Sequence, residues 1–234
     1  GTQEAITFSS GYLANLAVVA SLLSVQDRVI LDSLSHRSLV DACRLAGVPI
    51  QRFKHNDMDS LRHEIAQGGP CNRTLVISDG VFSMDGYLAN LPAICELAER
   101  HNAMVMVDDS HAVGFIGENG AGTPELCGVA DKVDIYTGTL GKALGGASGG
   151  YVSGRQAIID LLRQRSRPYL FSNTLAPAIT AASLKVLQIL QTEEGATLRA
   201  NLKRNADYFR QAMSEAGFTL VPGQHPIIPV MLGD

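Results

Sequence analysis

The sequence predicts an α/β fold with a mostly parallel central sheet and helices packed on both of its faces. Three observations predict it. Brief β-branched runs bounded by turn residues alternate with helical patterns from Ala5 to about Gly138, as strands joined by crossover helices do. The runs are nearly continuous in apolar residues, as strands covered on both faces must be. Hydrophobic residues fill 46% of the 234 positions and charged residues 18%, enough for a substantial core and too apolar for a disordered chain.

The elements follow in order. "AITF" reads as a first strand, and Gly11 opens a helical run. "RVILD", "PIQRF", "RTLVIS", "AMVMVDD" and "VDIYTG" read as further buried strands. Between them, "HRSLVDACRLAG", "DMDSLRHEIAQ" and "LPAICELAERHN" carry apolar residues at three- and four-residue spacing. Gly47 and His101-Asn102 are helix stops. From about Arg155 the pattern becomes helical, in "RQAIIDLLRQRS" and from Pro177 to Ala216, with a break expected near Glu194-Gly195. Two short strands, "FTLV" and "IIPVML", come last. The expected division is a large domain over residues 1–216 and the start of a smaller one over 217–234.

Composition narrows the function. The formal charge of −4 is mild, and no basic stripe with interleaved aromatics suggests nucleic acid as a partner. The longest apolar run, "LANLAVVASLL", contains an asparagine and falls short of the ~20 residues of a membrane span. Cys43, Cys71, Cys95 and Cys127 are scattered, without the spacing of a zinc site. They read as reduced thiols. No signal peptide is visible, so a cytoplasmic setting is expected, or a mitochondrial one in a eukaryote.

Ligands of open α/β sheets lie beyond the carboxyl ends of the strands. Ser9 to Tyr12, His36, Asp79 to Ser83, Asp108 to His111 and Thr139 to Lys142 all follow expected strands. Lys142 stands out because "DIYTGTLGKALGGASGGYVSG" sets one lysine among seven glycines. A phosphate-binding P-loop fails here, since Tyr136 and Ala143 occupy positions that need glycine and a hydroxyl. No dinucleotide-binding glycine fingerprint is present either. Either Lys142 is a solvated loop residue, or its amine bonds a carbonyl such as that of pyridoxal phosphate.

The neighbouring groups carry paired readings of the same kind. Asp108, with Asp109 and His111, could cap a turn, bind a metal or face the pyridinium nitrogen of pyridoxal phosphate. No further ligand set supports the metal, and none is expected. Gly11 could begin an ordinary helix, or aim the free N–H groups of that helix at a phosphate. His36 could cap its helix, lie exposed or border an aromatic ligand. The four signals ask for different parts of one ligand: amine, carboxylate, phosphate cradle and aromatic neighbour.

"DGVFSMDG", "VDDSHAVGFIGENG" and "TGTLGKALGGASGGY" closely resemble the α-oxoamine synthases, pyridoxal-phosphate acyltransferases of fold type I. "RQRSRPYLFSNTLAPAI" narrows the resemblance to members that acetylate glycine. The resemblance implies pyridoxal 5'-phosphate as cofactor, glycine and acetyl-CoA as substrates, and a homodimer with shared active sites. It makes Lys142 the Schiff-base lysine that later moves the α-proton. Asp108 then meets the pyridine nitrogen, and His36 stacks on the ring. Ser83 and His111 contact the region of the ring hydroxyl, while Gly11, Tyr12 and Thr139 meet the phosphate. Ser172 and Asn173 match positions that reach the neighbouring subunit's cofactor.

Asp79 stands where some relatives carry glutamate, and its role is left open. Gly11 and Tyr12 depart from the cysteine and phenylalanine of the glycine-acetylating member, which keeps alanine with a longer acyl-CoA as the alternative. The chain begins without Met in a strand and stops after another, so a piece of a longer protein is expected, inactive alone. The resemblance places the arginine that holds the substrate carboxylate beyond "IIPVMLGD".

Overall fold

The computed structural model describes residues 2–67, 69 and 71–232. Seven strands form one twisted sheet in the order β1-β7-β6-β5-β4-β2-β3. They are β1 (Glu4–Phe8), β2 (Arg28–Asp32), β3 (Ile50–Phe53), β4 (Thr74–Asp79), β5 (Met104–Asp108), β6 (Ile135–Thr139) and β7 (Gly150–Gly154). The pairs from β6 across to β3 are parallel, whereas β7 runs antiparallel to both β6 and β1. Every strand except β7 therefore points its carboxyl end to the same side.

Alternation along the strands feeds two cores. Val29, Leu31, Leu75, Ile77, Met106 and Ile135 face one side. There they meet α1 (Gly11–Leu22), α2 (Arg37–Ala46) and α6 (Gln156–Arg165). Ile30, Val76, Val105 and Val107 face the other side, against α3 (Met58–Gln67) and α4 (Leu91–Arg100). Burial on both faces explains why these strands read as continuous apolar runs. Gly47 ends α2 in the left-handed conformation that a residue with a side chain rarely adopts.

After α5 (Thr123–Leu126), β6 and β7, the chain continues through α6 and α7 (Arg167–Leu170) to α8 (Pro177–Leu190) and α9 (Glu193–Glu215). The break between α8 and α9 falls at Gln191-Thr192, earlier than Glu194-Gly195. Gly195 lies inside α9, where an added Cβ would meet Ile189 O at 2.5 Å and Leu190 Cα at 2.6 Å. That glycine lets two helices touch and does not stop one. β8 (Thr219–Leu220) and β9 (Val230–Met231) form a separate two-stranded sheet. The ranges expected for the two domains include residues 1, 68, 70, 233 and 234, which lie outside the described residues. Among the described residues, no helix is long and apolar enough to cross a membrane.

β7 was not expected from the sequence. "GYVSG" has glycine at both ends and buries one large apolar side chain, Val152, so it gives almost no hydrophobic signal. Its position decides the site. A Cβ on Gly150 would lie 2.5 Å from Gly11 N and from Ser10 C and O, so only glycine lets the start of α1 pack against β7. Gly150→Ala is expected to lower stability by about 1–3 kcal/mol, the usual cost of overpacking. Urea denaturation measures it, and an unchanged midpoint would show that the two segments separate freely.

Candidate active site

Five segments from the carboxyl side of the sheet build the site: those after β1, β2, β4, β5 and β6. The segment after β6 is pinned by Leu140 and Leu144, which are buried with Leu175. Lys142 lies midway between those anchors in an exposed bend, and its Nζ is 2.8 Å from His111 Nε2. Burial of the amine lowers the Lys142 pKa, against the opposing pull of Asp108 and then Asp79. His111 is lowered to about 4, first by burial and then by the Lys142 charge. The imidazole is thus neutral at pH 7, and one proton serves the contact between the two nitrogens.

Asp108 closes β5 and is buried. Its Oδ1 accepts from Ser110 N at 3.0 Å, and its Oδ2 accepts from Asn15 Nδ2 at 2.7 Å. Asp79 lies opposite Asp108 in the β4–β5 register and is also buried. Its pKa is raised well above the ordinary carboxylate value by burial and then by the Asp108 charge, with His36 N–H pulling the other way. That backbone N–H donates to Asp79 Oδ2 at 2.9 Å. His36 itself caps α2 and is exposed, so two of its three sequence readings hold at once. Its ring lies 6.4 Å from that of His111, inclined by 58°.

At the start of α1, Ser10 caps the helix by accepting from Leu13 N at 3.2 Å. A Cβ on Gly11 would meet Thr139 Cβ at 3.4 Å and Ser110 Oγ at 3.8 Å. The helix N-terminus, two hydroxyls and the Lys142 bend therefore share one corner. Thr139 Oγ1 donates to Gly149 O and accepts from Gly141 N. Dipole and free N–H groups at such an end attract an anion.

Other residues sit apart from this corner. The Tyr12 side chain is exposed and its hydroxyl donates to Asp41 Oδ2 at 3.4 Å, leaving only its backbone beside Gly11. Ser83 lies in a turn after β4, without a hydrogen bond to Lys142, His111 or Asp108 among the described residues. Ser172 and Asn173 are exposed in a separate groove of about 350 Å³ that they share with Thr7, Ser9 and Tyr169. Asp109 turns away from Asp108. It accepts from Thr123 N at 2.8 Å and Thr123 Oγ1 at 2.6 Å, and burial pushes its pKa up to about 6. Its carboxylate is occupied with holding the following loop, as a capping reading of "VDDSH" requires. Among the described residues, no group of three or more His, Cys, Asp or Glu is placed to hold a metal ion.

Asn15 is the site residue that sequence reasoning missed, although a signal for it exists. It is the polar residue inside the apolar run "LANLAVVASLL" and it is buried. A buried carboxamide needs partners, and an apolar helix supplies none, so a partner across the helix face was to be expected.

The family model for class I and II aminotransferases matches residues 1–234. A 2-amino-3-ketobutyrate coenzyme A ligase from Salmonella typhimurium is 54% identical over 100% of this chain and 59% of its own length. An 8-amino-7-oxononanoate synthase from Geobacter sulfurreducens is 42% identical, over 100% of this chain and 60% of its own. Among solved structures, a serine palmitoyltransferase variant from S. paucimobilis with bound PLP–myriocin aldimine superposes with a TM-score of 0.93 at 34% identity. That match covers 100% of this chain and 60% of the other. The chain thus spans about three-fifths of the length of the curated relatives it matches.

The folded pKa of His111, about 4, lies below its ordinary 6.5. The neutral ring's contribution to stability is therefore complete above pH 6.5 and is lost as pH falls through about 4. Wild type is expected to lose stability relative to His111→Gln over that window. Paired urea unfolding curves measure the difference, and parallel pH profiles would show that His111 is not held neutral.

Proposed function

The chain belongs to the family of class I and II aminotransferases, and from that membership we propose that it is the cofactor-binding part of a glycine C-acetyltransferase. The enzyme joins glycine to acetyl-CoA, forming a carbon–carbon bond, releasing CoA as the thiol and keeping the glycine carboxylate. The product is 2-amino-3-ketobutyrate. One observation carries the reading: an amine of lowered pKa, a buried carboxylate and a helix N-terminus converge on one corner of the sheet. The 54% identity to a 2-amino-3-ketobutyrate coenzyme A ligase supports glycine over alanine, the substrate of the alternative reading.

The donor set fits pyridoxal phosphate at each of its ends. Bound there, the cofactor supplies an aldehyde that bonds amines and a pyridinium ring that draws electrons from the adjoining carbon. Gly11 and Tyr12 N–H groups, with the Thr139 hydroxyl, hold the phosphate. Asp108 holds the proton of the pyridine nitrogen, since an opposite charge favours the protonated form. His36 covers one ring face, and Ser83 and His111 serve the ring hydroxyl.

Lys142 is the amine that would bond the aldehyde, with loss of water, because partial burial leaves more of it unprotonated and nucleophilic. Lys142 Nζ would also be the base placed to take the glycine α-proton, with His111 Nε2 within hydrogen-bond reach to steady it. Ser172 and Asn173 reach toward the cofactor of a second copy, which makes the assembly a homodimer. β8 and β9 belong to the smaller domain of this reading.

Borohydride treatment of the full chain loaded with pyridoxal phosphate is expected to label Lys142 in peptide maps, and Lys142→Ala to abolish labelling. Labelling of Lys132 or Lys185 instead would overturn the assignment. Asp108→Asn is expected to slow exchange of the glycine α-proton by about 10²-fold or more, the scale of losing one electrostatic stabiliser. Near-normal exchange, followed by NMR in deuterated water, would remove Asp108 from the role. Thiol release from acetyl-CoA with glycine, set against a longer acyl-CoA with alanine, decides between the two substrate readings.

A further inference from the structure

We propose that Asn15 and Ser38 are positioning residues of a buried relay that fixes the rotamer of Asp108 and the tautomer of His36 as one unit. Asn15 is 1% exposed and Ser38 2%. Asn15 Nδ2 donates to Asp108 Oδ2 at 2.7 Å and to Ser38 Oγ at 2.9 Å. Ser38 Oγ in turn lies 2.7 Å from His36 Nδ1. The chain Asp108–Asn15–Ser38–His36 thus crosses from β5 through α1 to the first turn of α2.

Proton counting fixes every direction along it. The opposite orientation of the Asn15 amide would set its carbonyl oxygen against the Asp108 carboxylate, two acceptors at 2.7 Å, so the NH₂ group faces Asp108. Both amide hydrogens are then spent, one on Asp108 and one on Ser38. Ser38 Oγ accepts there and has its own proton left for His36 Nδ1. Ser38 N–H points at the same nitrogen from 3.3 Å. Two donors at Nδ1 leave no place for a ring proton, so the neutral His36 carries its proton on Nε2.

The arrangement has a cost that reveals its purpose. Asn15 Oδ1 is buried without a partner among the described residues. A leucine there would carry no orphaned carbonyl of its own, but it would take from Asp108 Oδ2 the donor that the amide supplies. With Ser110 N–H on Oδ1 and Asn15 on Oδ2, neither Asp108 oxygen can turn. The relay deepens the function proposed above and rests on that reading for its catalytic consequence, whereas its geometry belongs to the chain itself.

The test uses the full chain labelled with ¹⁵N-histidine, free of cofactor, and reads the His36 ring nitrogens by long-range ¹H–¹⁵N correlation. Wild type is expected to show the Nε2–H tautomer alone. Ser38→Ala should give a mixture of both tautomers, and Ser38→Thr should restore the wild-type pattern. Asn15→Leu, which alters no atom touching His36, should also give a mixture. With pyridoxal phosphate bound, Asn15→Leu should weaken cofactor retention about tenfold and lower kcat more than KM. An Nδ1–H tautomer in wild type, or a His36 pattern unmoved by Asn15→Leu, overturns the relay. Should Asn15→Leu fail to fold, the wild-type tautomer and the Ser38 pair still decide. Intact spectra with no turnover of glycine would sink the proposed reaction and leave the relay standing.

Discussion

Two carboxylates, Asp79 and Asp108, end neighbouring strands in register and are buried side by side. Like charges so placed resist being ionised together, and the site is built around settling which one keeps its charge. The hydrogen bonds are unequal. Asp108 accepts from the backbone N–H of Ser110 and from Asn15, whereas Asp79 has the N–H of His36. The Asp79 pKa rises well above the ordinary value, with the Asp108 charge as its second cause after burial. Burial and the neighbouring charge thus favour the protonated form of Asp79, which still accepts at the oxygen that fixes the start of α2. This gives a physical role to the residue whose sequence reading was left open.

The reversed strand β7 makes the other half of the site. Because it runs antiparallel between β1 and β6, it sets β1 parallel to β6 one strand away, with both carboxyl ends on the same side of the sheet. The N-terminus of α1 then meets Thr139 and Ser110. Gly150 provides the missing Cβ that this approach requires. A parallel strand in that place would have needed a longer crossover connection, and the lysine loop, which joins β6 to β7 directly, would have had no short return.

Much of this was legible in the sequence for one reason: ligand groups of parallel sheets gather at strand ends, and apolar runs locate those ends. Lys142, Asp108, His36, Gly11 and Thr139 were all singled out by that route, and the fold gathers them on the carboxyl side of the sheet. β7 was hidden because its close contacts are made by glycines, which carry no hydrophobic pattern. Gly195 misled for the related reason that a glycine permitting helix contact looks like one ending a helix. Asn15 was visible as an oddity but its partner was not, since Asp108 is 93 positions away and only the packing of α1 on the sheet joins them. Ser83, Ser172 and Asn173 owe their expected roles to a bound ring or a second subunit, and a single chain shows neither.

The same packing sets a balance at Lys142. Burial disfavours its ammonium, while Asp108 and Asp79 favour it. If Asp79 carries a proton, its share of that attraction disappears and the amine becomes the easier to deprotonate. A neutral His111 at 2.8 Å adds no charge to the balance, and it can give or accept a hydrogen bond as the amine changes state. The charge at the end of β4 therefore acts on the amine two strands away through the field. Asp109, one residue from Asp108, stays outside this circuit because Thr123 occupies both of its oxygens. Of two adjacent aspartates, one holds a loop and the other turns toward Asn15 and the Lys142 side of the sheet, and the alternation of side chains at the end of β5 is what separates them.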